Sequence, residues 1–311
     1  MKLQIFGLVD IHCHGAFGVD FMSASRQDLV DLSERLAGLG YAAWLPTTVT
    51  ASLDDVRRTL DSLPEHAMIP GFHLEGPFIS PEYPGAQPPE HILEPATAKG
   101  WDVVLDDPRL KVITMAPEIP GALDLIQRLS SRGVIVSLGH TNATYEQCQA
   151  AFEAGARHTT HTYNAMRPLH HREPGTVGFA LAEDGLSTEL IYDRLHVSRG
   201  AAQVLVNAKP SDKLIAISDS TMATGQPNGS RMQMWGHDCI VGDDEVRLAS
   251  NGALAGSGIT LATAFRNLAH DFGLELAVQA CCINPARALG LDSSLTNFTV
   301  LDDYSLKPIG T

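Results

Sequence analysis

Val9-Asp10-Ile11-His12-Cys13-His14-Gly15 ends the first apolar run of the chain, and its reading decides the fold. The run is rich in β-branched and apolar residues before it breaks into Asp, His and His. On a strand the side-chain period is two, so His12 and His14 share a face. Two imidazoles on one face at a strand end can converge on one cation.

Other strands end in the same way. Short apolar runs at 3–11, 42–49, 68–74, 111–116, 134–138, 158–162, 189–192 and 214–218 alternate with amphipathic segments at 25–39, 53–63, 121–131, 144–154 and 199–208. Strands alternating with helices read as βαβ units on a parallel sheet, and eight of them suit a (β/α)8 barrel of the TIM type. Its active site lies where strands end and βα-loops begin. Strand 3 ends at Glu75 in GFHLEGPF, strand 5 at His140 in VSLGHT, strand 6 at His161 in HTTHTYNAM and strand 8 at Asp219 in AISDS. A lone histidine is more often a core or surface group than a ligand. Six such donors at the ends of strands 1, 3, 5, 6 and 8 point to a site for a divalent transition metal such as Zn or Fe.

Two ions need a bridging group. Strand 4 ends in Met115-Ala116-Pro117 and its lysine, Lys111, sits at the wrong end. Glu75 is therefore the candidate bridge, with His12 and His14 on one metal and His140 and His161 on the other. His73 shares a face with Glu75 one layer deeper and reads as core or support. His66, His91, His237 and His270 fall on loops or helix surfaces, His158 is off the spacing of His161, and His170 and His171 take no role.

The 311 residues are 44% hydrophobic and 19% charged, the composition of a globular α/β chain. A formal charge of −14 argues against a nucleic-acid partner, and an anionic substrate would need a local cationic clamp. No apolar run reaches the ~18 residues of a membrane span. The stretch before the first motif is too short for a signal peptide, so the expected location is cytoplasmic. The five cysteines form no C-x-x-C pair and read as reduced thiols. After the eighth run, 232–235, 239–241 and 246–248 read as short antiparallel strands. Helices at 260–272 and 274–282 follow, the second stopped by Pro285. The expected organisation is a barrel over 1–290 with a small β insertion around 230–250, then a tail over 291–311 in which 295–308 adds one or two strands.

Taken together, VDIHCHG, HLEGPF, GHTNAT, THTYNAM followed by REPG, LHV, LAGSGITL and NPARALGL resemble the N-acetylglucosamine-6-phosphate deacetylase family of the amidohydrolase superfamily. The resemblance runs from Val9 to about Leu291. It implies metal binding by Glu75, His140 and His161, with His12 and His14 matching members that hold a second ion, and Asp219 as catalytic aspartate and further metal ligand. It also implies substrate contacts by Ala86, Gln87, Asn164, Ala165, Asp193 and His196, phosphate binding by Arg172, and a pocket wall of Leu254, Ala255 and Gly256. The substrate implied is a phosphorylated amino sugar, the cofactor one or two divalent ions (Zn or Fe), and the assembly a homodimer with residues of one subunit near the other's pocket.

The chain also departs from the family pattern. Gln87 stands where a histidine is common, Asp193-Arg194 replaces Asp-Gly, and Ser218-Asp219-Ser220 replaces Thr-Asp-Ala. The family's small β-sandwich reads as absent or vestigial, since nothing precedes strand 1 and the tail is short. The expected reaction is attack of water on an acetamide carbonyl, with Asp219 as base and then acid and His196 or Gln87 polarising the carbonyl. The rival readings are an amidohydrolase for a different N-acyl or cyclic amide and a non-catalytic metal-binding barrel.

Overall fold

Eight parallel strands carry the molecule: β1 (Leu8–Cys13), β2 (Tyr41–Thr48), β3 (Phe72–Glu75), β4 (Leu110–Met115), β5 (Ile135–Leu138), β6 (His158–Thr159), β7 (Ser187–Ile191) and β8 (Leu214–Ile217). The computed structural model describes residues 3–294 and 296–309. Each strand pairs with the next in chain order. The ring closes between β8 and β1, where Asp219 N donates to the His12 carbonyl and His14 N to the Ser220 carbonyl, both at 2.9 Å. Closure therefore fixes three candidate ligands by backbone bonds alone. The chain folds as a TIM-type barrel.

Helices α1 (Arg26–Ala37), α2 (Leu53–Asp61), α3 (Asp102–Leu105), α4 (Ala122–Ser130), α5 (Tyr145–Ala154), α6 (Gly175–Ala182), α7 (Arg199–Ala208) and α8 (Leu261–Phe272) alternate with the strands. Their starts are written locally. Ser25 and Thr144 cap α1 and α5 as capping boxes with Asp28 and Gln147, and Ser52 and Ser198 cap α2 and α7. The strands are buried on both faces, as parallel strands under helices must be. Val9, Ile11, Ala43, Leu45, Val112, Ile191, Ile215 and Ile217 pack together as one apolar cluster, and a larger one joins strands to helices.

Three elements differ from the sequence reading. The first apolar run divides at Gly7 (φ +128°), where a Cβ would lie 2.7 Å from the Phe298 ring. Residues Gln4–Ile5 thus leave the barrel and pair antiparallel with Phe298–Val300, which pairs with Leu306–Pro308. A short strand does precede β1, and the two chain ends build a small three-stranded sheet. Of the tail, Leu295, Gly310 and Thr311 lie outside the described residues. The run 158–162 contracts to two strand residues because His161 turns to φ +29°. Pro285 does not stop a helix: Leu274–Val278 passes through a π-turn at Gln279–Ile283, and Pro285 sits in the first turn of Asn284–Ala288, where its missing N–H costs least.

Between β8 and α8 the chain builds an antiparallel sheet of β9 (Arg231–Met234), β10 (His237–Val241), β11 (Glu245–Leu248) and β12 (Leu254–Ser257). Ser257 N donates to the Asp219 carbonyl at 2.7 Å, which joins this sheet to the barrel mouth. Trp235 and Gly236 form the β9–β10 turn with φ +54° and +82°, a two-residue hairpin of the kind that needs positive φ at both positions.

Candidate active site

The side chains of His12 and His14 project from β1 on one face, as the pleat dictates. Those of His140, His161 and Asp219 come from the first turns beyond β5, β6 and β8, where the backbone is left-handed at φ +46°, +29° and +49°. The four histidines converge on Glu75 at the end of β3, and Asp219 meets His12 and His14. Its Oε2 is 3.1 Å from His14 Nε2, and its Oε1 is 3.1 Å from His140 Nε2 and 3.2 Å from His161 Nε2. His12 Nε2 is 3.4 Å from Glu75 Oε1 and 3.4 Å from Asp219 Oδ1, which is also 3.3 Å from His14 Nε2.

The outer nitrogens settle the tautomers. His14 Nδ1 donates to the Thr47 carbonyl at 3.0 Å, His140 Nδ1 to that of Tyr83 at 3.1 Å and His161 Nδ1 to that of Asn164 at 3.2 Å. A carbonyl only accepts, so these Nδ1 atoms carry protons, and Nε2 is the nitrogen left to face the interior, where it can offer a lone pair to a cation. The outer Nδ1 of His12 faces the carboxylate of Glu189 at 3.6 Å, the carboxylate–histidine arrangement common behind metal ligands.

Inward nitrogens lie close together, His12 to His14 at 3.2 Å and His140 to His161 at 3.2 Å. Facing lone pairs repel unless a positive charge lies between them. Tetrahedral Zn with nitrogen ligands at about 2.0–2.1 Å spaces its donors about 3.3 Å apart, so the spacing fits a cation. The two triads His12/His14/Glu75 and Glu75/His140/His161 each have the composition and closeness to hold a metal ion. The electrostatics agree. Burial works to raise the Glu75 carboxyl, yet His12, His14 and His140 hold it well below the usual range. Burial works to lower His14, yet its bonds to Asp219 and Glu75 push it up to about 9. The cluster collects positive charge.

His73 lies one layer beneath. Its Nδ1 bonds the Ile11 carbonyl at 3.0 Å and its Nε2 the Thr114 hydroxyl at 2.8 Å, and burial with the neighbouring His12 pushes its pKa down to about 3. It is a neutral support.

The residues 5–300 match the model of the amidohydrolase family. The chain is 38% identical to N-acetylglucosamine-6-phosphate deacetylase of Lysinibacillus sphaericus, over 93% of this chain and 77% of the relative. This chain is an N-acetylglucosamine-6-phosphate deacetylase-family amidohydrolase. An N-acetylgalactosamine-6-phosphate deacetylase of Escherichia coli O157:H7 is also 38% identical, over 92% of this chain and 78% of that one. Among solved structures, a mutant N-acetyl-D-glucosamine-6-phosphate deacetylase of Mycobacterium smegmatis in complex with N-acetyl-D-glucosamine-6-phosphate superposes with a TM-score of 0.90. It is 32% identical, with 96% of this chain and 83% of that chain covered.

Within this amidohydrolase the mouth forms a pocket. His14, Glu75, Ala86, Gln87, His140, His161, Asn164, Ala165, His196, Asp219, Leu254 and Gly256 line it, and His12 lies fully buried behind them. Four residues sit differently from the sequence reading. Ala255 points away from the pocket into the insertion's core, because neighbouring strand residues face opposite sides. Asp193 does not line the pocket: its carboxylate accepts from Leu195 N and His196 N at 2.8 Å each and faces His196 Nδ1 at 2.5 Å, so it holds His196. Gln87 lines the pocket, but its amide oxygen is taken by Thr50 N and one N–H of its NH2 by Glu75, which leaves a single N–H for a substrate carbonyl. Arg172 is exposed on the turn bridged by His170 and Glu173, with its guanidinium 2.8 Å from His171 Nε2, and does not reach the pocket of its own chain.

Sequence reading missed Glu189 and Trp235. Glu189 lies two residues before Ile191, which lines the pocket, so strand parity alone would have turned it inward. Trp235 packs edge-on against His14 with ring centroids 5.0 Å apart. No signal near it in the chain announces this, since the hairpin tip reaches the site only through tertiary packing.

Proposed function

We propose that this amidohydrolase hydrolyses the acetamide of N-acetylglucosamine 6-phosphate to glucosamine 6-phosphate and acetate, with one or two divalent cations, Zn or Fe, at the Glu75 clusters. The observation that carries the reading is the placement of the Asp219 carboxylate, beside the histidine–glutamate clusters and at the pocket wall. A cation bound there supplies Lewis-acid chemistry and lowers the pKa of a water from 15.7 towards about 7. Asp219 accepts the proton of the attacking water and delivers it to the departing amine nitrogen, which would otherwise be a poor leaving group. His196, steadied by Asp193 on one ring nitrogen, turns the other towards the sugar. Ala86, Asn164, Ala165, Leu254 and Gly256 shape the wall around the acyl group and ring.

Arg172 is the candidate phosphate clamp, since a guanidinium grips phosphate through two bonds. Its exposure, outside its own pocket, suits a homodimer in which one subunit's Arg172 serves the other's site. Among the described residues no helix is long and apolar enough to cross a membrane. The proposed location is cytoplasmic. The E. coli relative gives a second reading, the 4-epimeric N-acetylgalactosamine 6-phosphate.

The test is acetate release from both sugar phosphates and from unphosphorylated N-acetylglucosamine, with protein reconstituted with Zn or Fe. Metal-dependent turnover of N-acetylglucosamine 6-phosphate above the others is expected. Faster turnover of the galacto epimer would move the reading to that sugar, and turnover of none would remove it. Arg172→Ala should raise KM for the phosphorylated sugar about 10–100-fold and leave the unphosphorylated one unchanged.

A further inference from the structure

Gln87 is 5% exposed, and both ends of its amide are committed. Its Oε1 accepts from the backbone N–H of Thr50 at 2.7 Å, and its Nε2 donates to Glu75 Oε2 at 2.7 Å. The orientation is forced, because a backbone N–H can be satisfied only by the amide oxygen, which leaves the NH2 for the carboxylate. We propose that Gln87 is a positioning residue that divides Glu75 between the two donor clusters and so equips the chain for a second cation at His12 and His14. The inference rests on the metal sites of the proposed function.

A glutamate carboxyl turns easily about its last bond, since that torsion is broad. Unrestrained, it could present both oxygens to one cation and leave the other cluster with two imidazoles. Gln87 prevents this by tethering Oε2, the oxygen 3.1 Å from His14 Nε2, while Oε1 stays with His140 and His161 at 3.1 and 3.2 Å and lies farther, at 3.4 Å, from His12 Nε2. Charge matters as well. Gln87 and His14 contact the same oxygen, so any charge at position 87 acts directly on the His12/His14 cluster. A histidine at this position could become cationic and would then oppose a metal ion at that cluster. The amide donates the same kind of bond and stays neutral at every pH.

The test is titration of metal-free protein with Zn2+ alone, followed by calorimetry and metal analysis. Wild type should bind two ions per chain. The His12→Ala, His14→Ala double variant identifies the isotherm of the remaining cluster. Gln87→Leu, similar in volume and without either bond, should weaken the His12/His14 site about 10–100-fold, the usual effect of losing a partner behind a ligand, and leave the other site nearly unchanged. The melting temperature of metal-free Gln87→Leu, measured alongside, separates positioning from folding. A single site in wild type, or two unaltered sites in Gln87→Leu, would overturn the proposal. Equal weakening of both sites with a lowered melting temperature would overturn it too, by making Gln87 a general packing residue. Selective loss of one site in a protein that releases no acetate would leave this inference standing and remove only the deacetylase reading.

Discussion

The two ends of the barrel follow different rules. In the turns entering the strands, the positive-φ positions among the described residues are all glycine, such as Gly133 (φ +82°) and Gly155 (φ +122°). In the turns leaving the strands, His140, His161, Tyr163, Ala165, Arg194 and Asp219 also adopt positive φ, between +29° and +84°. A left-handed conformation costs a non-glycine residue about 1–2 kcal/mol. The chain thus avoids that cost where it needs only a turn and carries it where a side chain must be aimed. Buried charge divides likewise. The mouth holds His12, His14, Glu75, Glu189 and Asp219, where the carboxylates and imidazoles compensate one another. At the opposite end, Lys209 donates its Nζ to the Glu183 carbonyl, and burial pushes its pKa down to about 8 against the attraction of the Asp184 and Glu183 carboxylates.

The sharpest way to break this contrast is at the mouth. Asp219→Asn keeps the shape and the backbone bonds to β1, and removes the proposed base. Turnover should fall by about 10³-fold, within the range for a lost general acid–base group, while metal content stays at the wild-type level. Near-normal kcat would show that the strained aspartate serves structure and not chemistry.

A reciprocal pair compares the two kinds of turn. At Gly133 an added Cβ meets nothing within 4 Å, so Gly133→Ala isolates the backbone cost and should destabilise by about 1–2 kcal/mol in urea unfolding, with activity unchanged. Ala165→Gly should relieve the left-handed backbone at φ +48° and raise stability by up to about 1 kcal/mol, while loosening the pocket wall and lowering kcat/KM. If Ala165→Gly proved neutral in both measurements, the difference between the two ends would be one of composition only.

The smallest effect is the lysine's. Between about pH 8 and its ordinary value of 10.5, the unfolded chain holds a proton that folded Lys209 does not. Stability should therefore rise with pH across that window. In Lys209→Met this component of the rise should vanish, and the variant should gain on wild type towards neutral pH. Parallel curves for the two proteins would mean that Lys209 keeps its proton when folded.

How legible each part was depends on the range over which it is decided. Seven of the observed barrel strands lie mostly within the expected runs, since alternation of apolar strands and amphipathic helices is written locally. The His158 strand shrank because the chain turns to positive φ at His161, which leaves two residues to pair with the strands on either side. Gln87 was legible as a departure from a pattern, but its bonds reach Thr50 and Glu75, 37 and 12 positions away, and nothing in its own neighbourhood reveals them.

By itself the sequence determined the barrel, the mouth as the site, and the pairing of His12 with His14. Strand pleat, helix caps and chain order need no knowledge of distant contacts. Only the tertiary structure decided which oxygen of Glu75 meets which histidine, that Glu189 stands behind His12 and Trp235 against His14, and that Arg172 lies outside its own pocket. Those outcomes depend on ring closure, on the left-handed turns beyond the strands and on the reach of the insertion. Each is fixed by the summed packing of segments far apart in the chain, and no local pattern encodes such a sum.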